Sequence, residues 1–252
     1  GRQHSARPSD ILASTIPNCR SYDPTYAYEM AVIIREGIRQ MTEEQQNVFF
    51  YLTAMNEAYV QPAMPIGAED GIIKGMYLLE EDQRDAACHV QLMGSGTILR
   101  EVREAAKILR EEYNIGADVW SVTSFNELRR DGLAVERRNR LHPEQKPEQS
   151  FVEQCLSGRK GPVIASTDYM KLFADQIRQW VPVKEYKVLG TDGFGRSDSR
   201  QKLRHFFEVD RYWVVLTALE ALADRGEIER TVIAEAIAKF GIDTHKANPL
   251  DC

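Results

Sequence analysis

The sequence has few cysteines, and those it has are widely separated. Cys19, Cys88, Cys155 and Cys252 form no C-x-x-C pair, so their spacing indicates neither a disulfide framework nor a zinc site. Long apolar runs are also missing, since no stretch reaches the roughly 18 uncharged apolar residues of a membrane span, and the early residues contain no signal-peptide core. We therefore expect a cytoplasmic protein with no membrane partner.

An excess of positive charge is missing as well. The 32 Lys and Arg residues are outnumbered by 38 Asp and Glu residues, which gives a net charge of -6 at pH 7. Proteins that bind nucleic acids in general present a basic face to the phosphates, so we expect no nucleic-acid partner. Hydrophobic residues make up 43% of the chain and charged residues 28%, which is typical of a globular protein.

The first third of the chain predicts part of an α/β layer. Residues 1–24 are polar, contain three prolines and predict a loop. Apolar positions at helical spacing predict a helix over residues 26–41, and the aromatic run VFFYLTA predicts a strand, buried on both faces, over residues 48–54. A helix-like stretch over residues 68–79 and a charged linker over residues 80–87 follow.

The rest of the chain alternates strands and helices. A strand at residues 89–93 leads through a glycine-containing turn into an amphipathic helix. Further strand-then-helix units are predicted at residues 118–138, 163–180 and 186–207. A proline-containing surface loop is predicted at residues 141–149, and two final helices at residues 212–224 and 230–240. These units predict a mostly parallel sheet covered by helices, with right-handed crossovers.

The turn Gly94-Ser95-Gly96 has two interpretations. It follows a strand and opens a helix, an arrangement in which backbone N–H groups can bind an anion. The third glycine of a dinucleotide-binding fingerprint is missing, because Leu99 stands in its place. A simple tight turn is the favoured interpretation, and an anion or nucleotide contact is the alternative.

The stretch from Gly190 to Asp198, GTDGFGRSD, is the most unusual in the chain. Its glycines permit a positive φ or the close approach of another backbone, and Ser197 or Asp198 could cap the following helix. A structural loop is the favoured interpretation. The alternative is a loop at a subunit or domain interface near an active site.

The other polar motifs predict fold more than chemistry. Residues 166–170 and 123–127 each follow a strand and cap a helix, the second as a capping box. The five histidines are too dispersed for an H-x-x-x-H metal site, so we predict no metal ligands. His4 lies in a polar segment where a proton-transfer group could reach a substrate, although composition alone favours an exposed loop histidine.

One set of motifs extends over nearly the whole chain, to Asn248-Pro249. It comprises Gly1-x-Gln3-His4, Thr15-Ile16-Pro17-Asn18-Cys19, Ser21-Tyr22-Asp23-Pro24, Asn56-Glu57-x-Tyr59, Leu92-x-Gly94-Ser95-Gly96, Ser121-Val122-Thr123-Ser124-Phe125, residues 165–171 and residues 188–200. Together these motifs resemble the decarboxylating component of bacterial homodimeric pyruvate dehydrogenase, and the longest runs are highly specific.

The resemblance implies two domains within a longer protein. Residues 1–85 would form the second half of a thiamine pyrimidine-binding α/β domain, and residues 86–252 a transketolase C-terminal-like domain. The whole enzyme would be a homodimer that decarboxylates pyruvate on thiamine diphosphate and magnesium and acetylates lipoyl groups of a dihydrolipoyl acetyltransferase core. The family holds the diphosphate and magnesium with a Gly-Asp-Gly motif, which is absent from this sequence. The resemblance therefore implies that the main cofactor ligands lie outside this chain, which alone should be inactive.

The resemblance also implies a role for one residue. The family pattern Gly-Leu-Gln-His-Glu-Asp-Gly-His corresponds to residues 1–8, so His4 matches the active-site histidine, a proton donor or substrate-orienting group. The residues after His4 depart from that pattern. The alternative to an enzyme fragment is a stand-alone module that binds an anion or a partner protein. The fragment hypothesis predicts a partial sheet with an exposed apolar edge in residues 1–85.

Overall fold

Helices in this protein surround a five-stranded sheet and a separate two-stranded sheet. The computed structural model describes residues 9–251. The helices in this part of the chain are α1 (Ser9–Ser14), α2 (Ala27–Ile38), α3 (Glu69–Lys74), α4 (Leu99–Glu112), α5 (Phe125–Leu141), α6 (Phe151–Leu156), α7 (Lys171–Asp175), α8 (Arg200–Phe206), α9 (Arg211–Asp224) and α10 (Arg230–Phe240). The strands are β1 (Cys19–Tyr22), β2 (Phe49–Leu52), β3 (Met76–Glu80), β4 (His89–Gly94), β5 (Gly116–Val122), β6 (Val163–Ser166) and β7 (Tyr186–Leu189).

The two-stranded sheet lies in the first part of the chain. β1 and β2 pair in parallel, from Cys19 opposite Phe49 to Tyr22 opposite Leu52. The prediction of a loop over residues 1–24 is wrong for α1 and β1, because Pro17 lies between these two elements and Pro24 follows β1, so that neither proline interrupts them. The strand over residues 48–54 is confirmed in shortened form. It is not buried on both faces, since Phe49 is 43% exposed.

The predicted helix over residues 68–79 is wrong in its second half. Helix α3 ends at Lys74, and the next residue, Gly75, has a φ of 114°, a left-handed conformation that terminates helices. The chain then forms β3, which pairs antiparallel with β5 at the edge of the larger sheet. β3 therefore lies before the predicted domain boundary at residue 85, and yet it is the edge strand of the five-stranded sheet. The division into residues 1–85 and 86–252 stays a prediction.

The larger sheet has the strand order β3-β5-β4-β6-β7, and its last four strands are parallel. The prediction of a mostly parallel sheet covered by helices is confirmed. β6 and β7 have the predicted bounds, and the other two strands of the predicted units differ by only a few residues. The helix predicted up to residue 180 is instead α7 followed by a short 3₁₀ turn, Arg178–Trp180.

Helices cover both faces of the larger sheet. On one face α4, α9 and α10 enclose a core that includes Leu99, Leu109 and Leu219. On the other face α5, α6 and α7 enclose a core that includes Phe125 and Phe173. Each such side chain stabilises the fold by about 1.5–3 kcal/mol when buried. A third core, between α2, α3 and the two-stranded sheet, joins the first part of the chain to β3.

Candidate functional site

The two sheets meet at Asp23, the residue that follows β1. Asp23 is buried, and its backbone N–H donates to the carbonyl oxygen of Thr123 at 2.8 Å. Its own carbonyl oxygen accepts from the N–H of Gly96 at 3.1 Å. The backbone of Asp23 therefore joins the end of the small sheet to the loops that follow β4 and β5.

The side chain of Asp23 joins two more strand ends. Oδ1 accepts a hydrogen bond from Thr53 Oγ1 at 2.6 Å, after β2, and from the Tyr169 hydroxyl at 3.1 Å, after β6. Burial raises the pKa of Asp23 to about 6, although hydrogen bonds from Thr53, Ser95 and Tyr169 act to lower it. Through its backbone and its carboxyl group together, Asp23 thus contacts four loops, those that follow β2, β4, β5 and β6.

The space beside the turn Gly94-Ser95-Gly96 is occupied by a side chain of the protein itself. Gly96 has a φ of 49°, and a Cβ atom at this position would lie 2.5 Å from Oδ2 of Asp23. The Ser95 hydroxyl is 3.0 Å from Thr167 Oγ1. An internal carboxylate therefore occupies the space beside the second glycine, which supports the tight-turn interpretation over an anion contact.

Two further buried carboxyl groups lie near this junction. Burial, and then the charge of Asp23, raises the pKa of Asp10 in α1 to about 8. The carbonyl oxygen of Asp10 accepts a hydrogen bond from Asn126 Nδ2 at 2.8 Å. The carboxylate of Glu29 in α2 accepts from the hydroxyls of Tyr77 at 2.7 Å and Ser121 at 2.6 Å. Glu29 thereby joins α2 to β3 and β5, which is a structural role.

A cleft of about 770 Å³ opens beside the Asp23 junction. It lies where β2, β6 and β7 end, and ligands of open α/β sheets commonly bind at the carboxyl ends of the strands. The polar residues lining the cleft include Thr53, Asp168, Thr191, Arg196, Arg200 and Arg204.

The stretch from Gly190 to Asp198 forms one wall of this cleft. The N–H of Thr191 donates to the Tyr169 carbonyl oxygen at 2.8 Å, and Asp192 Oδ2 accepts from the Lys171 N–H at 3.0 Å. Gly193 has a φ of 97°, and a Cβ there would lie 2.0 Å from the Pro249 carbonyl oxygen. Contacts on both sides hold this loop, as the structural-loop interpretation predicts.

Glu57 connects the segment after β2 to several arginines. Its carboxylate accepts hydrogen bonds of 2.5 Å from Arg100 and Arg204, and a nitrogen of Arg200 lies 3.8 Å away. Although burial acts to raise it, the pKa of Glu57 is lowered by the hydrogen bond and charge of Arg204 and by the charge of Arg100. Glu57 is therefore an ionised carboxylate whose ion pairs connect the segment after β2 to helices α4 and α8.

The sequence-predicted catalytic residue, His4, lies outside the described residues. Of the other histidines, His89 is 3.3 Å from an oxygen of Asp118 and His205 is 2.8 Å from Asp210. Within residues 9–251, no group of three or more His, Cys, Asp or Glu side chains is placed to hold a metal ion. In the same part of the chain, every helix is too short or too polar to cross a membrane.

Family comparisons agree with this architecture. The model of the "Transketolase-like TK C-terminal domain" matches residues 75–210, more than half of the chain. The chain belongs to this transketolase-like family. The model of the "Pyruvate dehydrogenase E1 component middle domain" matches residues 1–62.

Curated relatives extend the similarity to the whole chain. The chain is 79% identical over 252 residues to the pyruvate dehydrogenase E1 component of Pseudomonas aeruginosa, and it covers 29% of that protein. It is 57% identical over 250 residues to the same component of Escherichia coli K12 and covers 28% of it. The chain thus spans less than a third of these relatives, at their carboxy-terminal end. The resemblance predicted from the motifs is confirmed.

Solved structures share the fold at low sequence identity. A transketolase mutant from Pichia stipitis superposes with a TM-score of 0.61 at 17% identity, over 90% of this chain and 28% of that one. Transketolase from Leishmania mexicana gives 0.58 at 16% identity, over 89% and 28%. These matches confirm the transketolase-like fold class.

Sequence reasoning misses the junction residues as a group. The sequence presents Asp23 and Glu57 only as parts of family motifs. The available signal for Asp23 is its position, since a carboxylate directly after a strand lies at the sheet edge where loops meet. That signal is hidden because β1 itself is not predicted.

Proposed function

We propose that this chain is the carboxy-terminal part of a thiamine-dependent pyruvate dehydrogenase component. The whole protein would decarboxylate pyruvate and acetylate lipoyl groups of a dihydrolipoyl acetyltransferase core. The observation that carries this proposal is the 79% identity, over the entire chain, to a pyruvate dehydrogenase E1 component. We further propose a homodimer in the cytoplasm that binds neither nucleic acid nor membrane.

The first part of the chain leaves apolar surface uncovered, which supports the proposal that this chain depends on the rest of the protein. Within residues 9–251 its sheet has two strands, and Ile34 and Ile38 on α2 are 45% and 51% exposed. These two residues are four apart and so share one face of α2 as an apolar stripe. Met41, in the π-helical segment Arg39–Glu43 that follows α2, is also exposed. An exposed apolar stripe on the helix that covers a two-stranded sheet favours an enzyme fragment over a stand-alone module.

The residues of this chain do not fit the cradle that the cofactor requires. The sequence contains no Gly-Asp-Gly triplet, the motif with which the resembling family holds the diphosphate and magnesium. We therefore propose that thiamine diphosphate and magnesium are held mainly by the rest of the enzyme. His4 would contribute as a proton donor or substrate-orienting group. Residues 1–85 would complete the pyrimidine-binding domain, and residues 86–252 would form the transketolase-like domain.

A chimeric enzyme tests this proposal. The corresponding part of the Pseudomonas aeruginosa relative, to which the chain is 79% identical, is replaced by this chain, and carbon dioxide release from pyruvate is measured with thiamine diphosphate and magnesium. We expect activity from the chimera and none from the isolated chain. A folded but inactive chimera would contradict the proposal. Saturable binding of thiamine diphosphate to the isolated chain would contradict the assignment of the cofactor ligands.

A further inference from the structure

Two arginines at the rim of the 770 Å³ cleft are held mainly by neutral groups. The guanidinium of Arg196 lies 4.1 Å from the ring centroid of Phe206. Nη2 of Arg200 donates to the carbonyl oxygen and Oδ1 of Asn56, at 3.1 and 2.7 Å. Both side chains are exposed. Stacking and neutral acceptors fix the position of a guanidinium without cancelling its charge.

The carboxylate that lies beside Arg200 is shared among several cations. Glu57 hydrogen-bonds to Arg100 and Arg204, and it is 3.8 Å from Arg200. Arg204 is also within 3.4 Å of Glu101, so the buried arginine is well compensated.

Two aspartates also line the cleft. Asp198 lies 3.7 Å from Nζ of Lys202, and Asp168 lies on the floor. The positive charge at the rim is that of Arg196 and Arg200, in a protein whose net charge is -6.

The floor of the cleft offers hydrogen-bonding groups of a different kind. Thr53 and Asp168 both line it, and a carboxylate and a hydroxyl are suited to the hydroxyl groups of a ligand. The wall is preorganised, because the loop from Gly190 to Asp198 is held on one side by Lys171 and on the other by Pro249. A volume of about 770 Å³ is in the range of small-molecule sites.

We propose that this cleft binds a small hydroxylated metabolite through its oxyanion group, a phosphate monoester or a carboxylate. The guanidinium groups of Arg196 and Arg200 hold the oxyanion, and the Thr53 hydroxyl oxygen and the Asp168 carboxylate accept hydrogen bonds from the ligand's hydroxyl groups. Forked guanidinium groups are well matched to both kinds of oxyanion. The site is additional to the pyruvate reaction proposed above and does not depend on it.

Calorimetric titration with three matched probes tests the site. Glycerol 3-phosphate and glycerate carry the two candidate oxyanions on a similar body, and glycerol carries neither. The probes are added at low ionic strength to the isolated chain and, in parallel, to the chimeric enzyme. We expect saturable binding of at least one anionic probe in both proteins, and the tighter of the two identifies the oxyanion. Binding should weaken as salt is added.

Three substitutions make the test specific. Arg196→Gln and Arg200→Gln each remove one rim charge and should weaken binding about tenfold, the scale of one charge-assisted hydrogen bond. Arg137→Gln makes the same charge change on the exposed surface of α5 and should leave binding unchanged. Thermal unfolding confirms that each variant is folded. The proposal is overturned if neither anionic probe binds, if glycerol binds equally well, or if Arg137→Gln weakens binding as much as the rim variants.

Discussion

The carboxylate of Asp23 lies directly against Gly96, such that a Cβ on residue 96 would be 2.5 Å from Oδ2 of Asp23. The two sheets are therefore joined at a contact between Gly96, which has no side chain, and the buried carboxylate of Asp23. The contact explains why a glycine follows Ser95. It also makes this position sensitive to the smallest possible substitution.

Gly96→Ala should destabilise the protein by about 3 kcal/mol, since it combines a steric clash with an unfavourable positive φ. Gly226→Ala is the matched control, because Gly226 has a φ of 72° but no neighbouring atom within 4 Å of the place that a Cβ would take. It should cost only about 1 kcal/mol. The free energy of unfolding is measured by urea denaturation. Equal losses at the two positions would show that the Asp23 contact has no energetic weight.

Asp10 should make folding stability depend on pH. Its pKa rises from 3.8 to about 8 in the folded protein. Between these values the unfolded chain has released the proton that the folded chain keeps, so stability falls as pH rises, by up to about 1.4 kcal/mol per pH unit. Asp10→Asn should flatten this dependence. Asp85→Asn, which changes an exposed carboxylate, should not. Urea denaturation at several pH values checks both, and an unchanged slope in Asp10→Asn would refute the assignment.

Glu57→Gln should destabilise the protein by about 3 kcal/mol, because it leaves the guanidinium of Arg204 buried without its closest carboxylate. Glu69→Gln removes a carboxylate from an exposed pair with Arg35 and should cost less than about 1 kcal/mol. Chemical denaturation of the two variants gives the comparison. A loss at Glu57 no larger than the loss at Glu69 would mean that solvent already screens the Glu57 cluster.

The apolar stripe on α2 should matter only in the whole enzyme. Ile34→Ser and Ile38→Ser change half-exposed side chains, so the isolated chain should lose less than about 1 kcal/mol. In the chimera, where the remaining chain is expected to cover the stripe, the thermal midpoint should fall by several degrees. Leu133→Ser, at a similarly exposed position on α5, is the control. A fall of the same size in the isolated chain would contradict covering by the remainder.

The larger sheet can be predicted from the sequence because its signals are local. Each of its parallel strands is a short apolar run followed by a turn and an amphipathic helix, as at Val163–Ser166 and Tyr186–Leu189. β3 escapes prediction, because Met76–Glu80 continues the helical spacing of α3 and pairs with β5 far along the chain. Gly75 is the local signal that a helix ends there.

The candidate site is less predictable than the fold. The sequence favours a structural loop for the glycine-rich stretch 190–198, but the close approach of Gly193 to Pro249 depends on a distant part of the chain. Asp23, Thr53 and Tyr169 come from three separate strand ends. No spacing in the sequence links them, since only the sheet topology brings them together. The role of His4 follows from family resemblance alone and remains a prediction.

The antiparallel pairing of β3 with β5 determines where the protein can be shortened. A version starting at residue 86 would lack β3 and leave the backbone N–H and C=O groups of β5 unpaired along an open edge, which invites aggregation between copies. A version starting near residue 75 would retain β3 and keep that edge covered. The smallest portion that could be produced separately must therefore include β3, because β3 pairs with β5. Its start is set by this pairing more than by the charged residues 80–87.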